Sequence, residues 1–547
     1  MVRAAQGGDS APRYCTDCEN IFRQESYFAY LFGALEPGLS GAVDLRTGLA
    51  YLFVPRQDEA YAPWVGAQKS RAHYKQRFGV AEVHYTDEMV RVLGEDLQAA
   101  TLHVLRGVNS DSGLPARSAS FEGMSNFVVD ETLLFDALAE CRVVKSEAEI
   151  EVLAYVNRIC SAAHVAVMQE CAPGMMEYEA EARFLFECYK RGGMRLPAYT
   201  PIVASGRRAA QLHYGHAGAP NAGAMRDGEL VLMDLGCEYC AYGADITSTI
   251  PVSGRFTPDQ RAIYDAVLNA QLALIAAVKP GVSMKDLHHL GERHVLSGLK
   301  KAGLLVGKLD EMLRASMGAV FMPHGLGHFV GLDTHDVGGY GRGCPPRPKT
   351  PGACYLRTAR TLKAGMVLTV EPAVYFIPEL LSKALRKPAT ARFFDTQVLS
   401  RLLVIGGVRL EDDVVVTRTG CVNLTNLPRS CDDVEAVMAG AKWPREVIKA
   451  NAYQASGGTL PHEPSLGESV EGIRRVRSLT DIVIEEETSQ QLLAVVSPPL
   501  SFRESAVDAP PEAEPREVEL RADGAVSALS ADAARSVSLE ETESGVA

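Results

Sequence analysis

An α+β protein in three parts is what the sequence predicts: a small amino-terminal α/β domain, a larger domain of two facing αα-plus-sheet halves, and a long tail. Three observations predict it. Short β-rich runs alternate with helical text up to about residue 142. Between residues 143 and 440 a unit of helix, Pro-Gly, helix and glycine stop occurs twice, each copy followed by apolar strand-like runs. From about Ala441 the composition thins into Ser, Glu, Ala and Pro.

The first part (1–142) has strand-like runs at 42–45, 50–54 and 101–105 and a helical stretch at 88–97. In the second part (143–440), Ser146 with Glu149 three residues on is a capping box. It opens a helix that reaches about Cys171 and stops at Pro173-Gly174. A second helix covers about 177–190 and ends at Gly192-Gly193. The unit returns at Thr257-Pro258-Asp259-Gln260, with Thr as cap and Pro at the first helical position. That helix stops at Pro280-Gly281, and another runs from Ser283 to about 298–303. Strands are predicted at 201–204 and 230–234 after the first unit, and at 365–369 and 407–416 after the second. Two such halves face to face enclose a cleft between curved sheets. In the third part (441–547) the single apolar patch after Thr488, at 492–496, precedes Pro498-Pro499. So little apolar surface does not offset chain entropy, and a largely disordered acidic tail is expected.

The 547 residues are 47% hydrophobic and 22% charged, as in ordinary globular proteins, with a net charge of −13. That balance argues against a nucleic-acid or anionic-membrane partner, which calls for a basic face. The first residues carry no apolar core of a secretory signal. Nor does any run approach the eighteen or so uncharged apolar residues of a membrane span; the apolar stretch at 263–278 is interrupted by Asp265 and Asn269. Twelve cysteines are scattered along the chain. The lone CxxC pairs, Cys15/Cys18 and Cys237/Cys240, are poor candidates for zinc, which usually takes two such pairs. A reduced, cytoplasmic protein is expected.

Chemistry concentrates in the second part. Asp234 ends the apolar run that begins at Leu230, and Asp245 follows a turn expected at 236–239. Paired as a hairpin, the two runs bring both carboxylates to one place, although two surface aspartates on a hairpin are the plainer interpretation of that pair alone. The segment from Phe321 to Asp336 holds His324, His328 and His335. Gly325 and Gly327 make a helix there unfavourable, so extended or turn backbone close to a ligand is expected. Glu371 then closes a buried-looking strand, and Glu411 lies within another. A carboxylate on a buried strand is costly unless paired or on a metal. Four carboxylates and one imidazole at strand ends suit a hydrolase with two divalent ions.

The order Asp, Asp, His, Glu, Glu, in its surrounding text, resembles the pita-bread metallopeptidases: prolidase, aminopeptidase P and methionine aminopeptidase. The stretches 211–221, 321–328, 336–340 and 356–360 are most similar to the prolidase branch, and the likeness extends over about residues 13 to 440. The resemblance implies a creatinase-like amino-terminal domain before a pita-bread catalytic domain. Because prolidases carry more chain before the position of Tyr14, an amino-terminal domain incomplete at its start is expected. It implies that Asp234 and Asp245 hold one metal, His328 and Glu371 the other, with Asp245 and Glu411 bridging, and that the metals are Mn(II). It further implies attack by a water activated between the metals, Glu371 as proton shuttle, and His324 and His335 as partners of the scissile carbonyl. His213 and Arg357, with His335, would bind the carboxylate of an Xaa-Pro dipeptide, while Tyr199 and Arg409 orient the ligands. A homodimer in which Trp64 closes the partner's site is implied as well. Two alternatives remain at this point: an Xaa-Pro aminopeptidase of longer peptides, and a non-catalytic binding module.

Overall fold

The computed structural model describes residues 2–216 and 220–443, so the expected tail lies, beyond Trp443, outside the described residues. Its first strand, Val2–Gln6, is one that the sequence reading passes over, and it sits inside a six-stranded sheet. The order across that sheet is Glu82–Tyr85, Ala50–Val54, Ser40–Asp44, Val2–Gln6, Thr101–Val104 and Val128–Asp130. Val2–Gln6 pairs antiparallel with Ser40–Asp44 and parallel with Thr101–Val104. Alternation sends Val43, Leu52 and Val54 to one face, under the helices Ser26–Phe32 and Leu134–Val143. Val2, Ala42, Phe53 and Leu102 go to the other face, against Met89, Val92 and Leu93. The helical text at 88–97 is not one α-helix. It is a 3₁₀ turn (Thr86–Glu88), an α turn (Met89–Arg91) and a π turn (Val92–Asp96) in succession.

After helix Leu134–Val143 the capping box of Ser146 and Glu149 opens Glu147–Glu170. Glu177–Gly192 packs beside it. The second unit repeats the arrangement with Pro258–Ala277, capped by Thr257, and Met284–Lys301, capped by Ser283. Among the described residues Glu147–Glu170 is the one helix long and apolar enough to cross a membrane. Yet 61% of its apolar window is buried against the core, where Val156, Cys160 and Ala163 meet Phe184, Val203 and Met233.

Each helix pair backs a half-sheet. Ile202–Ser205, Leu230–Asp234 and Thr247–Pro251 form the first, Thr247 lying opposite Asp234. Between the last two strands the chain makes a second ladder, Cys237–Tyr239 with Tyr242–Gly243. The reversal therefore falls at Cys240-Ala241, both with positive φ (50° and 67°), and not at 236–239. Two left-handed residues in a row make the tight turn that matches strand twist. In the second half, Val367–Val370 pairs with Asp412–Val416, and Ala373–Tyr375 with Gly407–Arg409. The long strand expected at 407–416 is thus broken at Leu410-Glu411, opposite the break at Glu371-Pro372. Proline has no N–H for the ladder, which explains why pairing lapses there. A bridge between Thr247 and Glu411 joins the two half-sheets.

Candidate active site

All five expected metal ligands converge on the seam between the half-sheets. Asp234 ends its strand, and Asp245 lies two residues before the strand that starts at Thr247. Glu371 and Glu411 occupy the opposed breaks of the second half-sheet. His328 enters from the glycine-rich segment, which follows the short helix Gly318–Phe321 in non-helical backbone, as expected. Its register is set by Thr369, whose N–H donates to the His328 carbonyl (2.9 Å) and whose Oγ1 accepts from the His328 N–H (3.2 Å). Gly327 is required for this approach, because a Cβ there would lie 2.1 Å from the Thr369 carbonyl oxygen.

Ligand atoms of Asp234, Asp245 and Glu411 fall within 4.8 Å of one another, as do those of His328, Glu371 and Glu411, and those of Asp245, His328 and His335. Burial first, then the charges of Asp234 and Glu371, push the Asp245 carboxyl well above its usual range. Burial, then Asp245 and Asp234, do the same to Glu411, and burial with Glu411 pushes Glu371 up to about 8. His328 Nδ1 donates to the Phe329 carbonyl at 3.0 Å. In the neutral ring Nε2 is then a lone pair, and it faces Asp245 Oδ2 at 3.3 Å and Glu371 Oε1 at 3.8 Å. Asp234 Oδ1 is buried without a hydrogen-bond partner. Acceptors that converge and repel in this way fit a divalent cation between them, and the trios Asp234–Asp245–Glu411 and His328–Glu371–Glu411, which share Glu411, fit two.

One cation of the protein's own offsets part of this charge. Arg409, 5% exposed, donates from Nη2 to Asp234 Oδ2, from Nε to Thr247 Oγ1 (2.9 Å) and from Nη1 to the Tyr375 hydroxyl (2.5 Å). Thr247 Oγ1 in turn donates to Glu411 Oε2 at 2.6 Å. The Tyr199 hydroxyl is buried beside the same carboxylates; burial, then Asp234, Asp245 and Glu411, raise its pKa well above the usual value. Thr247, Tyr375 and Asp413 are supports that the sequence reading missed. Asp413 is fully buried and accepts through Oδ2 from Asn157 (2.9 Å) and from the Asp245 N–H (3.1 Å). Its signal was present in the text: a second and third acid, Asp412 and Asp413, inside an apolar strand.

The remaining expected residues form the rim. The His335 ring packs edge-on against that of His328, 4.5 Å between centroids. Loss of surrounding water, then the charges of His328, Arg357 and His213, lower its pKa to about 2. His213 is exposed on its loop and acts on both His335 and His324. His324 Nδ1 lies 2.7 Å from the Gly325 carbonyl, to which it must donate, so the neutral ring presents an acceptor at Nε2. The donor role that the resemblance implies for His324 therefore requires a second proton. Burial, then Arg409, oppose that proton by lowering its pKa to about 3. Arg357, 30% exposed, lies 3.5 Å from Asp111 of the amino-terminal part.

Residues 151–418 match the model of metallopeptidase family M24, and residues 2–105 that of the aminopeptidase P amino-terminal domain. Xaa-Pro dipeptidase of Mus musculus is 52% identical over 435 residues, which are 80% of this chain and 88% of that protein. The chain belongs to metallopeptidase family M24. Within the family, a probable Xaa-Pro aminopeptidase of Verticillium alfalfae is 37% identical over 77% of this chain and 88% of its own length. Among solved structures of the same fold, aminopeptidase PepP of Pseudomonas aeruginosa superposes with a TM-score of 0.65 and 31% identity, covering 80% of this chain and 93% of that one. An M24 chain with an aminopeptidase P amino-terminal domain is thus what the six-stranded sheet and the paired αα-plus-sheet halves build.

Proposed function

We propose that this M24 chain is a di-metal hydrolase that cleaves Xaa-Pro dipeptides. The observation that carries this reading is the gathering of five metal-fitting residues with His335, whose ring meets that of His328 and on which Arg357 and His213 act. Asp234 and Asp245 would hold one ion and His328 and Glu371 the other, Asp245 and Glu411 being shared; oxygen-rich ligation with a single imidazole suits Mn(II). When bound, the ions lower the pKa of water and polarise the substrate carbonyl. Glu371 takes the proton released on attack and returns it to the proline nitrogen, which leaves as an amine. His335 and His324 line the carbonyl side. Arg357 and His213 receive the carboxylate of the dipeptide, a planar anion that a guanidinium matches with two parallel hydrogen bonds. Arg409 and Tyr199 keep the ligands oriented.

The prolidase branch is favoured over the aminopeptidases by the higher identity to the mouse dipeptidase, 52% against 37% for the fungal aminopeptidase. A homodimer and a cytoplasmic location belong to the same reading. Trp64 is 77% exposed and available to a second copy, and no disulfide joins the described cysteines, as in a reducing compartment. The test is hydrolysis of Gly-Pro beside Gly-Pro-Ala, with added Mn(II) and after chelation. Cleavage confined to Gly-Pro and abolished by chelation is expected. Comparable cleavage of the tripeptide would move the chain to the aminopeptidases, and full activity in a metal-free preparation would end the metal assignment.

A further inference from the structure

Arg357 already has an anionic partner. Residues 108–115 form a hairpin closed by the bridge between Val108 and Pro115 and by Asn109 N–H to Leu114 O (2.9 Å). Its tip is rigid: Asn109 Oδ1 accepts from the N–H groups of Asp111 (2.8 Å) and Ser112 (3.1 Å), and Gly113 takes the left-handed φ of 71° that the turn needs. Asp111, its side chain 12% exposed, points between two arginines, 3.5 Å from Arg347 and 3.5 Å from Arg357. Arg347 is anchored to both sides, donating to Leu356 O (2.5 Å) and to Ser110 O (3.2 Å) and stacking on Tyr340 at 4.2 Å. Hairpin tip and Arg357 loop are therefore held together, with two cations sharing one carboxylate.

We propose that Asp111 is a specificity-determining residue: a tethered carboxylate that holds Arg357 until the carboxylate of a dipeptide takes its place. This rests on the reading of Arg357 given above. Magnitudes favour exchange over a permanent clamp. The pair is long and partly exposed, the kind of contact that contributes little. Arg142, by contrast, is fully buried and donates to Asp336 at 2.6 Å and to Asp333 at 2.7 Å. A free carboxylate that binds a guanidinium through two short hydrogen bonds outcompetes a single 3.5 Å contact. Two arginines and one aspartate leave one positive charge unmatched, which a substrate with one carboxylate matches. A peptide that continues past proline brings no charge to that spot and meets the hairpin tip at Ser110 and Asp111.

Steady-state kinetics on Gly-Pro and on Gly-Pro amide test this, at saturating Mn(II), for wild type, Asp111→Asn, Asp111→Ala, and each combined with Arg357→Ala. Both single substitutions should lower KM for Gly-Pro roughly two- to fivefold, about the strength of a partly exposed ion pair. The amide should not gain, and the effect should vanish in the Arg357→Ala background. A KM for Gly-Pro that is unchanged or raised in both variants overturns the exchange, as does an equal shift for the amide. If wild type does not distinguish Gly-Pro from its amide, Arg357 does not bind the carboxylate, and the dipeptidase reading falls together with the exchange. That result is visible before any Asp111 variant is made.

Discussion

Glu371 and Arg409 show how single residues divide the work of the cleft. Glu371 sits at a strand break, where burial and Glu411 raise its pKa to about 8 in the metal-free site. On the proposed assignment, Glu371→Gln removes a ligand charge and the proton carrier together. Turnover of Gly-Pro should fall about a hundred- to ten-thousandfold, as for a positioned acid–base group. Metal analysis of the variant separates the two losses, and near-normal turnover would reject the assignment. Arg409 is a buried cation whose partners are Asp234, Thr247 and Tyr375. Arg409→Ala leaves Asp234 buried without its counter-charge. Such removals cost about 3–5 kcal/mol, to be measured by urea unfolding of the metal-free protein. A loss under about 1 kcal/mol would mean that the carboxylate had found water, the alternative to a buried unpaired charge.

Among the elements, the glycine-rich segment before His328 makes the sharpest demand. Gly327→Ala would place a methyl group 2.1 Å from the Thr369 carbonyl oxygen, where backbone must move. The expected loss is about 1–3 kcal/mol or more, with weakened Mn(II) binding, since His328 is carried by the same contact. Gly341→Ala, with nothing within 4 Å of the added Cβ, is the control and should leave both unchanged. An unaltered melting point in Gly327→Ala would show that the segment relaxes freely. This scale also explains what was legible beforehand. Caps at Ser146 and Thr257 and carboxylates closing apolar runs are local patterns, so helix starts and candidates such as Asp234 and Glu371 could be picked out directly, whereas the ligand set as a whole came only with the resemblance. The turn at Cys240-Ala241 could not, because neither residue carries a turn signal. The break at Leu410-Glu411 depends on Pro372, a partner strand away. Asp111 lies far from Arg357 in sequence, and only the packing of hairpin on loop reveals their contact.

For the whole molecule, the cleft is a concentration of like charge that a divalent cation relieves. Stripped of metal, the protein should melt at a lower temperature than with excess Mn(II). Binding contributes about 2.7 kcal/mol at a hundredfold excess over Kd. Calorimetry with and without added Mn(II), at fixed protein concentration, checks this, and coincident transitions would deny binding to the native state. The proposed ligands come from both halves: Asp234 and Asp245 at the first half-sheet, Glu371 and Glu411 at the second, and His328 on the segment hydrogen-bonded to Thr369 of the second. A complete ligand set therefore forms only after the halves have docked. Metal is thus a late arrival in folding, absent from any transition state in which the seam is still open. Its grip should appear almost entirely as slower unfolding, with the refolding rate nearly indifferent to Mn(II). The seam that holds the metals would then act as a latch on the native state, long-lived once closed, and its release time would be set by the slower of metal escape and separation of the halves.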